Sequence, residues 1–320
     1  MKKGLYFALA AAAINGTIGV ASKYLLLSAN PLIFTPALIA WLKTIFGLIG
    51  VASFLWLIKQ VRTGLSDGSQ NIVKNNWFGA KTLLHTGLAA FTGMFMLFYF
   101  ETSAYQHSDA APVVVILMSV GCITALLGSW VLLQIKPSLS QWGGIAIASL
   151  GIAIMTGVIN LGLGSISVLS ASMSLQAFLF ACLAGIGYGL FTVLLKRFNL
   201  AGGLVLTRQL LLFAAIFLSV PVWLSADQHT NINTLTALPN WSIFVWLALI
   251  WLAVVPSILG FYCTTRAVDL LPPAKVQILE LTEPVFTAAF AALLLGEHLS
   301  FSVMLGGAIT LAGIYWAHRN

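Results

Sequence analysis

The chain has 320 residues, of which 60% are hydrophobic and only 7% are charged. Its mean hydropathy of +0.99 excludes a soluble domain of this length and indicates a polytopic membrane protein. The net charge of +7 does not indicate a nucleic-acid partner, because the few basic residues are divided among separate connections, as the positive-inside bias of membrane proteins predicts.

Apolar stretches long enough to cross a bilayer as helices recur along the whole chain. The ten predicted spans lie at about 4–27, 34–58, 80–104, 110–134, 140–159, 173–195, 202–224, 242–265, 273–295 and 300–317. The first is interpreted as a retained helix rather than a signal peptide, because its apolar run is long and no cleavage site follows it. The expected fold is an all-α membrane protein with ten transmembrane helices.

Lysine and arginine residues are distributed unevenly among the connections between these spans. The connections without either residue are 28–33, 105–109, 160–172, 225–241 and 296–299. They would all face one side of the membrane, and basic residues mark the cytoplasmic side. The sequence therefore predicts a multi-pass protein of the cytoplasmic (inner) membrane with both termini in the cytoplasm.

The second half of the chain repeats features of the first half. The residues that align are Phe98-Tyr99 with Phe261-Tyr262, Gly143-Gly144 with Gly306-Gly307, Lys43 with Arg208, and Asn15 with Tyr188. We predict a first repeat at 1–160, a linker at 161–172 on the outer side and a second repeat at 173–320. Because each repeat has five helices, an odd number, the second must be inverted, and inverted repeats hold the substrate near the midplane between them.

The ninth span carries two carboxylates. Glu280 and Glu283 would each cost roughly 2.5–3.5 kcal/mol at the bilayer centre if ionised, so both should face protein or water. They share a helix face, and two like charges that close do not both ionise readily. Pro284 follows directly and predicts a kink. Glu283 is a candidate proton carrier, ligand of a substrate ammonium or partner of a basic residue; the structural alternative is that it braces the kink.

Two basic residues that lie within spans are further candidates. Lys43 and Arg208 could contact a substrate, but a buried charge is costly without a partner. By depth alone, Glu101 could form an ion pair with Lys43, and Glu280 with Arg208.

Polar and aromatic residues complete the set of candidates for a central cavity. These are Asn15, Tyr188, Tyr99, Tyr262 and Trp251. For Asn15 and Tyr188 the alternative is hydrogen bonding between helices, and for the other three it is ordinary packing or contact with lipid.

Enzyme signatures are weak. The five histidines are scattered, and the sequence has no phosphate loop, so no metal, no cofactor and no ATP drive are predicted. We expect a protein that is not an enzyme. Its expected partners are a small-molecule substrate and the lipid bilayer, with protons as one candidate coupling ion, and its expected state is a monomer or homodimer.

Two segments carry a family resemblance: Arg266–Ala274, and the run from Glu283-Pro284-Val285 to Leu295–Leu299. Both resemble the EamA-type domain of the drug/metabolite transporter superfamily. The resemblance implies a secondary active transporter that works by alternating access. It favours a small organic metabolite, amino acids and related compounds above others, and export over uptake. The alternative is a non-transporting membrane protein, such as a lipid-modifying enzyme or a structural subunit.

Overall fold

The computed structural model describes residues 2–27, 34–65, 80–108, 110–155, 159–162, 165–168, 174–224, 227–287 and 301–318. Most of them are helical. The α-helices are α1 (Lys2–Asn15), α2 (Ile18–Leu27), α3 (Pro36–Leu65), α4 (Ala80–Ala90), α5 (Leu97–His107), α6 (Ala110–Leu133), α7 (Leu139–Met155), α8 (Leu175–Arg197), α9 (Leu204–Leu224), α10 (Gln228–Thr236), α11 (Ile243–Val254), α12 (Phe261–Leu270), α13 (Pro273–Glu280), α14 (283–287) and α15 (Phe301–His318). Two π-helical segments, Phe91–Met96 and Val255–Gly260, continue α4 into α5 and α11 into α12.

Seven helical stretches of the described residues are long and apolar enough to cross a membrane. They are Lys2–Leu26, Pro36–Gln60, Lys81–His107, Val113–Leu133, Leu175–Arg197, Leu204–Leu224 and Ile243–Leu270, with shorter apolar helices at Leu139–Ile154 and Met304–Ala317. The predicted ninth span is described only as far as residue 287, so its far end at Gly296-Glu297 lies outside the described residues. The protein is a multi-pass helical membrane protein, and the total of ten spans stays a prediction.

Large apolar side chains cover the outer surface of the helices. On α3, for example, Phe54, Trp56 and Leu57 are 52%, 59% and 53% exposed. Such a surface would be costly in water but is favourable against lipid tails. Helices also suit this environment because their backbone polar groups bond to each other within the helix.

Helices that the sequence aligns as equivalents pack against each other. The most extensive pair is α7 with α15, and α3 packs on α9 in the same way. The interior is formed by α6 against α8 and by α1 against α12 and α13. These contacts join the first half of the chain to the second along its length.

The two π-helical segments also fall at equivalent places. The offset that aligns Phe98 with Phe261 puts Phe91–Met96 within one residue of Val255–Gly260. The rings of Phe98 and Phe261 themselves touch, with centroids 5.2 Å apart and planes at 87°. Residues that are equivalent and in contact lie near the axis that would relate the two halves.

The first span, predicted at 4–27, is found at Lys2–Leu26 and is interrupted by a turn. A turn at Gly16-Thr17 separates α1 from α2. The Thr17 hydroxyl donates to the carbonyl of Ile14 at 2.8 Å, and glycine has a low helix propensity. Both effects weaken the helix at mid-span.

Two connections have more structure than the sequence indicated. The connection 225–241 contains α10, whose fully buried Asn231 accepts a hydrogen bond from Thr35 at 2.7 Å and donates one to the carbonyl of Val222 at 2.8 Å. Between the halves, strands β1 (Ile159–Gly162) and β2 (Ser165–Val168) form an antiparallel hairpin. The otherwise helical fold therefore includes one short β-hairpin.

Candidate functional site

Ionisable side chains from both halves of the chain gather in the interior. We define the buried polar cluster as Lys43 of α3, Glu101 and Tyr105 of α5, Tyr188 of α8, Glu280 of α13 and Glu283 of α14. Their exposed fractions lie between 0% and 3%. If every group were ionised, three carboxylates would face one ammonium, which is costly in a dry interior unless protons or a cation compensate.

Glu280 is held by hydrogen bonds. The hydroxyl of Tyr188 donates to Glu280 Oε2 at 2.8 Å, and that of Thr264 donates to Oε1 at 2.9 Å. The amide of Gln277 adds a longer bond of 3.4 Å. With donors on both oxygens, this carboxylate has a fixed position.

Glu101 and Lys43 are neighbours without being directly paired. Tyr105 donates its hydroxyl proton to Glu101 Oε1 at 2.8 Å, while Glu101 Oε2 has no hydrogen-bond partner among the described residues. The ammonium of Lys43 lies over the ring of Phe98, 4.0 Å from its centroid, within electrostatic range of Glu101. The expected ion pair is thus replaced by a cation–π contact, in which the ring face stabilises the cation.

Glu283 begins α14 and is 2% exposed. Its Oε2 has no hydrogen-bond partner within the described ranges. The charged groups within electrostatic range of it there are Glu101 and Glu280, both acids. These two acidic neighbours suit a group that binds a proton or an incoming cation.

The three carboxylates do not meet at one point. Where the structure describes the chain, no three His, Cys, Asp or Glu side chains are close enough to hold a metal ion. Glu283 is within electrostatic range of both Glu101 and Glu280. The three acids are also distributed unequally between the halves. In the alignment that pairs Phe98 with Phe261, Glu101 aligns with Thr264. Glu280 and Glu283 align with the apolar residues Leu117 and Val120.

The helix carrying Glu283 is broken, and its break packs on that of the first span. After α13 ends at Glu280, a turn at Leu281-Thr282 precedes α14, because Pro284 has no N–H to bond the carbonyl of Glu280 and would clash with it. The hydroxyl of Thr287 lies 3.0 Å from the carbonyl oxygens of both Gly16 and Glu283. A methyl group on Gly16 would lie 2.9 Å from that hydroxyl, so the close approach depends on glycine.

Trp251 and Asn15 lie beside the break in the first span rather than in the cluster. The indole of Trp251, 47% exposed, donates to the hydroxyl of Thr17 at 3.0 Å. Asn15 is 7% exposed and ends α1; its Oδ1 has no hydrogen-bond partner in the described part of the chain. That oxygen faces Gly260, where a Cβ would approach it to 2.6 Å.

The other aromatic candidates, Tyr99 and Tyr262, pack on phenylalanines. Tyr99 lies with its ring parallel to that of Phe95, at 5.9 Å. Tyr262 meets Phe7 edge to face, with centroids 6.0 Å apart. Neither ring contact involves the buried polar cluster.

Arg208 does not pair with Glu280, which corrects the sequence expectation. It lies one turn after the start of α9 and lines a cavity of about 500 Å³ with Trp56 and Lys59 of α3. A long arginine side chain near a helix end can reach the interface, so it needs no buried carboxylate.

Tyr105 is the cluster residue that the sequence reasoning missed. The predicted connection 105–109 includes Tyr105, but α5 continues to His107 and Tyr105 is only 1% exposed. Its spacing from Glu101 could have identified it, because residues i and i+4 of a helix share a face and can contact each other.

Comparison with known proteins identifies the family. The model of the EamA-like transporter family matches residues 2–157 and, a second time, residues 175–318. The chain belongs to the EamA-like transporter family. Two matches in succession show that this EamA-like protein contains two copies of the family unit, and the family has small-molecule substrates and a lipid environment.

Solved structures support the fold of this EamA-like protein. The structure matches 29 solved chains, and one of these, a protein described by its crystal structure, has 14% sequence identity and a TM-score of 0.67. The match covers 99% of this chain and 97% of the other. At that identity the likeness shows the fold alone. No curated protein sequence matches the chain.

Proposed function

We propose that this EamA-like protein is a secondary active transporter of the cytoplasmic membrane, in which two inverted repeats alternate access to a central site formed by the buried polar cluster. Family membership supports the transporter role, and the cluster draws its residues from both repeats. Ionisable groups inside a membrane are costly and mark ion or substrate pathways. The other predicted site residues, among them Asn15 and Trp251, would line the route beside the broken helices.

The observation that carries the proposal is the free oxygen of Glu283. A carboxylate that is 2% exposed, has an oxygen without a partner among the described residues and is within electrostatic range of two other acids is poised to bind a proton. We assign Glu283 as the group that couples transport to protons.

The cluster also supports an amino acid or a related zwitterion as the substrate. The free oxygens of Glu101 and Glu283 are acceptors that fit a substrate ammonium. The ammonium of Lys43, held over Phe98 rather than bonded to a carboxylate, fits a substrate carboxylate. Export is the favoured direction by the resemblance described above.

Flux measurements on purified protein in proteoliposomes test this assignment, with single L-amino acids as probes. Glu283→Gln keeps the shape of the side chain but cannot release a proton. We expect it to abolish accumulation driven by a proton gradient while leaving exchange of internal for external amino acid within about twofold of wild type. Wild-type protein should show saturable flux that depends on the gradient.

Glu101→Gln is the matched comparison, since Glu101 is equally buried and keeps the bond from Tyr105. If Glu101 mainly binds the substrate ammonium, this variant should weaken binding in both assays. Wild-type accumulation by Glu283→Gln would refute proton coupling at Glu283. Absence of saturable flux from the wild type for every amino acid would refute the proposed substrate class.

A further inference from the structure

A second polar site lies away from the buried polar cluster, where the turn between α6 and α7 meets the start of α13. It is a pocket of about 210 Å³. Its polar lining residues are Ser129, Lys136, Ser138, Gln141 and Lys275, and no carboxylate lines it. The lining comes from both copies of the family unit, on the side that the predicted topology assigns to the cytoplasm.

Positive charge converges on this pocket from two directions. Lys136, exposed, and Lys275, half-buried, supply two ammonium groups. Two helices also begin at the pocket: α7 at Leu139 and α13 at Pro273. The first turn of a helix presents backbone N–H groups and the positive end of the helix dipole, which favour anions.

The start of α7 is built as a reciprocal cap. Gln141 accepts a hydrogen bond from the backbone N–H of Ser138 at 2.9 Å, and its own N–H donates to the Ser138 hydroxyl at 3.3 Å. This capping box fixes the helix end at the pocket wall.

Ser129 gives independent evidence of a ligand. Its side chain lines the pocket and is 2% exposed, yet its Oγ has no hydrogen-bond partner among the described residues. A buried hydroxyl without a partner costs free energy, and a ligand oxygen in the pocket would remove that cost.

We propose that this pocket binds a phosphate group. Two ammonium groups and a buried hydroxyl approach from different directions, and the positive ends of two helix dipoles add to their attraction, which suits the several oxygens of a tetrahedral phosphate better than a planar carboxylate. The group has two sources: the headgroup of an anionic phospholipid and free inorganic phosphate. Either would link the first repeat to the second at this face.

Thermal unfolding of the purified full-length protein in detergent tests the site. The probes are inorganic phosphate, short-chain phosphatidylglycerol and, at matched ionic strength, chloride. A ligand that binds only the folded state raises the melting temperature in proportion to its occupancy. We expect phosphate, phosphatidylglycerol or both to raise it, and chloride to leave it unchanged. A response to phosphate identifies the free anion as a ligand, and a response to phosphatidylglycerol alone identifies the lipid headgroup.

Three variants decide whether the ligand occupies this pocket. Lys136→Gln with Lys275→Gln should weaken binding at least tenfold, whereas the control pair Lys3→Gln with Lys81→Gln, which removes as much charge from exposed positions, should not. Ser129→Ala should weaken it several-fold without lowering the melting temperature of the free protein. Equal affinity of wild type, Ser129→Ala and the Lys136/Lys275 variant would overturn the proposal, as would no response to either probe. If the double variant does not fold, Ser129→Ala against wild type decides.

Discussion

At the scale of single residues, Glu280 and Glu283 differ in how many hydrogen bonds hold them. Glu280 has donors on both oxygens, whereas Glu283, three residues later, has an oxygen without a partner in the described structure. The first arrangement fixes a side chain and the second leaves it able to bind. We therefore expect mutations around Glu280 to change stability before they change transport.

Tyr188→Phe should lower the stability of the protein. It removes the 2.8 Å bond to Glu280 and leaves a buried acceptor with one donor fewer, and a hydrogen bond to a charged group contributes about 1.5–3 kcal/mol. Arg208→Ala is the control, because Arg208 lies in a separate cavity, and its effect should stay within about 0.5 kcal/mol. Thermal unfolding in detergent measures both. A larger loss of stability from Arg208→Ala than from Tyr188→Phe would contradict this account of Glu280.

The sequence showed which residues are buried and ionisable, but not which of them meet. A charged residue inside an apolar span is evident from the sequence alone, and this signal identified Lys43, Glu280 and Glu283. Pairing depends on rotation of each helix about its axis, and depth alone cannot supply it. That is why Arg208 was assigned to Glu280, although Tyr188 and Thr264 occupy that position.

At the scale of elements, α6 and α8 approach until their backbones touch. A methyl group at Gly189 would lie 2.5 Å from the carbonyl oxygen of Gly121, and one at Gly185 would lie 2.5 Å from that of Leu117. Small residues allow such packing between membrane helices. Here they bring a continuous helix of the first repeat against a continuous helix of the second.

Gly189→Ala should separate these helices and lower stability by about 1–3 kcal/mol, the usual cost of overpacking. Alanine is the better helix former, so the clash must outweigh a gain of about 1 kcal/mol. Gly143→Ala controls for that gain, because a methyl group there meets nothing within 4 Å. Melting temperatures should fall for the first variant and stay equal or rise for the second. The same change in both would show that α6 and α8 are not in backbone contact.

The sequence located most helices well but did not locate their interruptions. Spans are set by hydropathy over about 20 residues, which averages over a two-residue turn. The break at Gly16-Thr17 depends on local hydrogen bonds and on support from Trp251 and Thr287, which are distant in the chain. Pro284 did indicate the region of the second break, because a proline cannot donate the helical hydrogen bond to the carbonyl four residues earlier.

At the scale of the whole molecule, orientation in the membrane is still a prediction from charge. The outer connection 225–241 includes α10, and Gln228 at its start is exposed. A cysteine at Gln228 should react with an impermeant thiol reagent in intact cells, whereas one at exposed Lys81 should react only after permeabilisation. The variants should be made without Cys182 and Cys263, which are partly accessible. The reverse labelling pattern would invert the topology and move the phosphate pocket to the outer side.

The unequal distribution of acids between the halves has a consequence for energetics. A transporter with identical inverted halves would interconvert two states of equal free energy, since exchanging the roles of the halves would reproduce the same molecule. Here Glu280 and Glu283 align with apolar residues of the first half, and Glu101 aligns with a threonine of the second. If the chain alternates access as proposed, its two access states therefore differ in free energy, because no symmetry makes them equal. In the absence of substrate, this free-energy difference would set how many molecules occupy each access state. The direction of net flux would still be set by the gradients across the membrane alone.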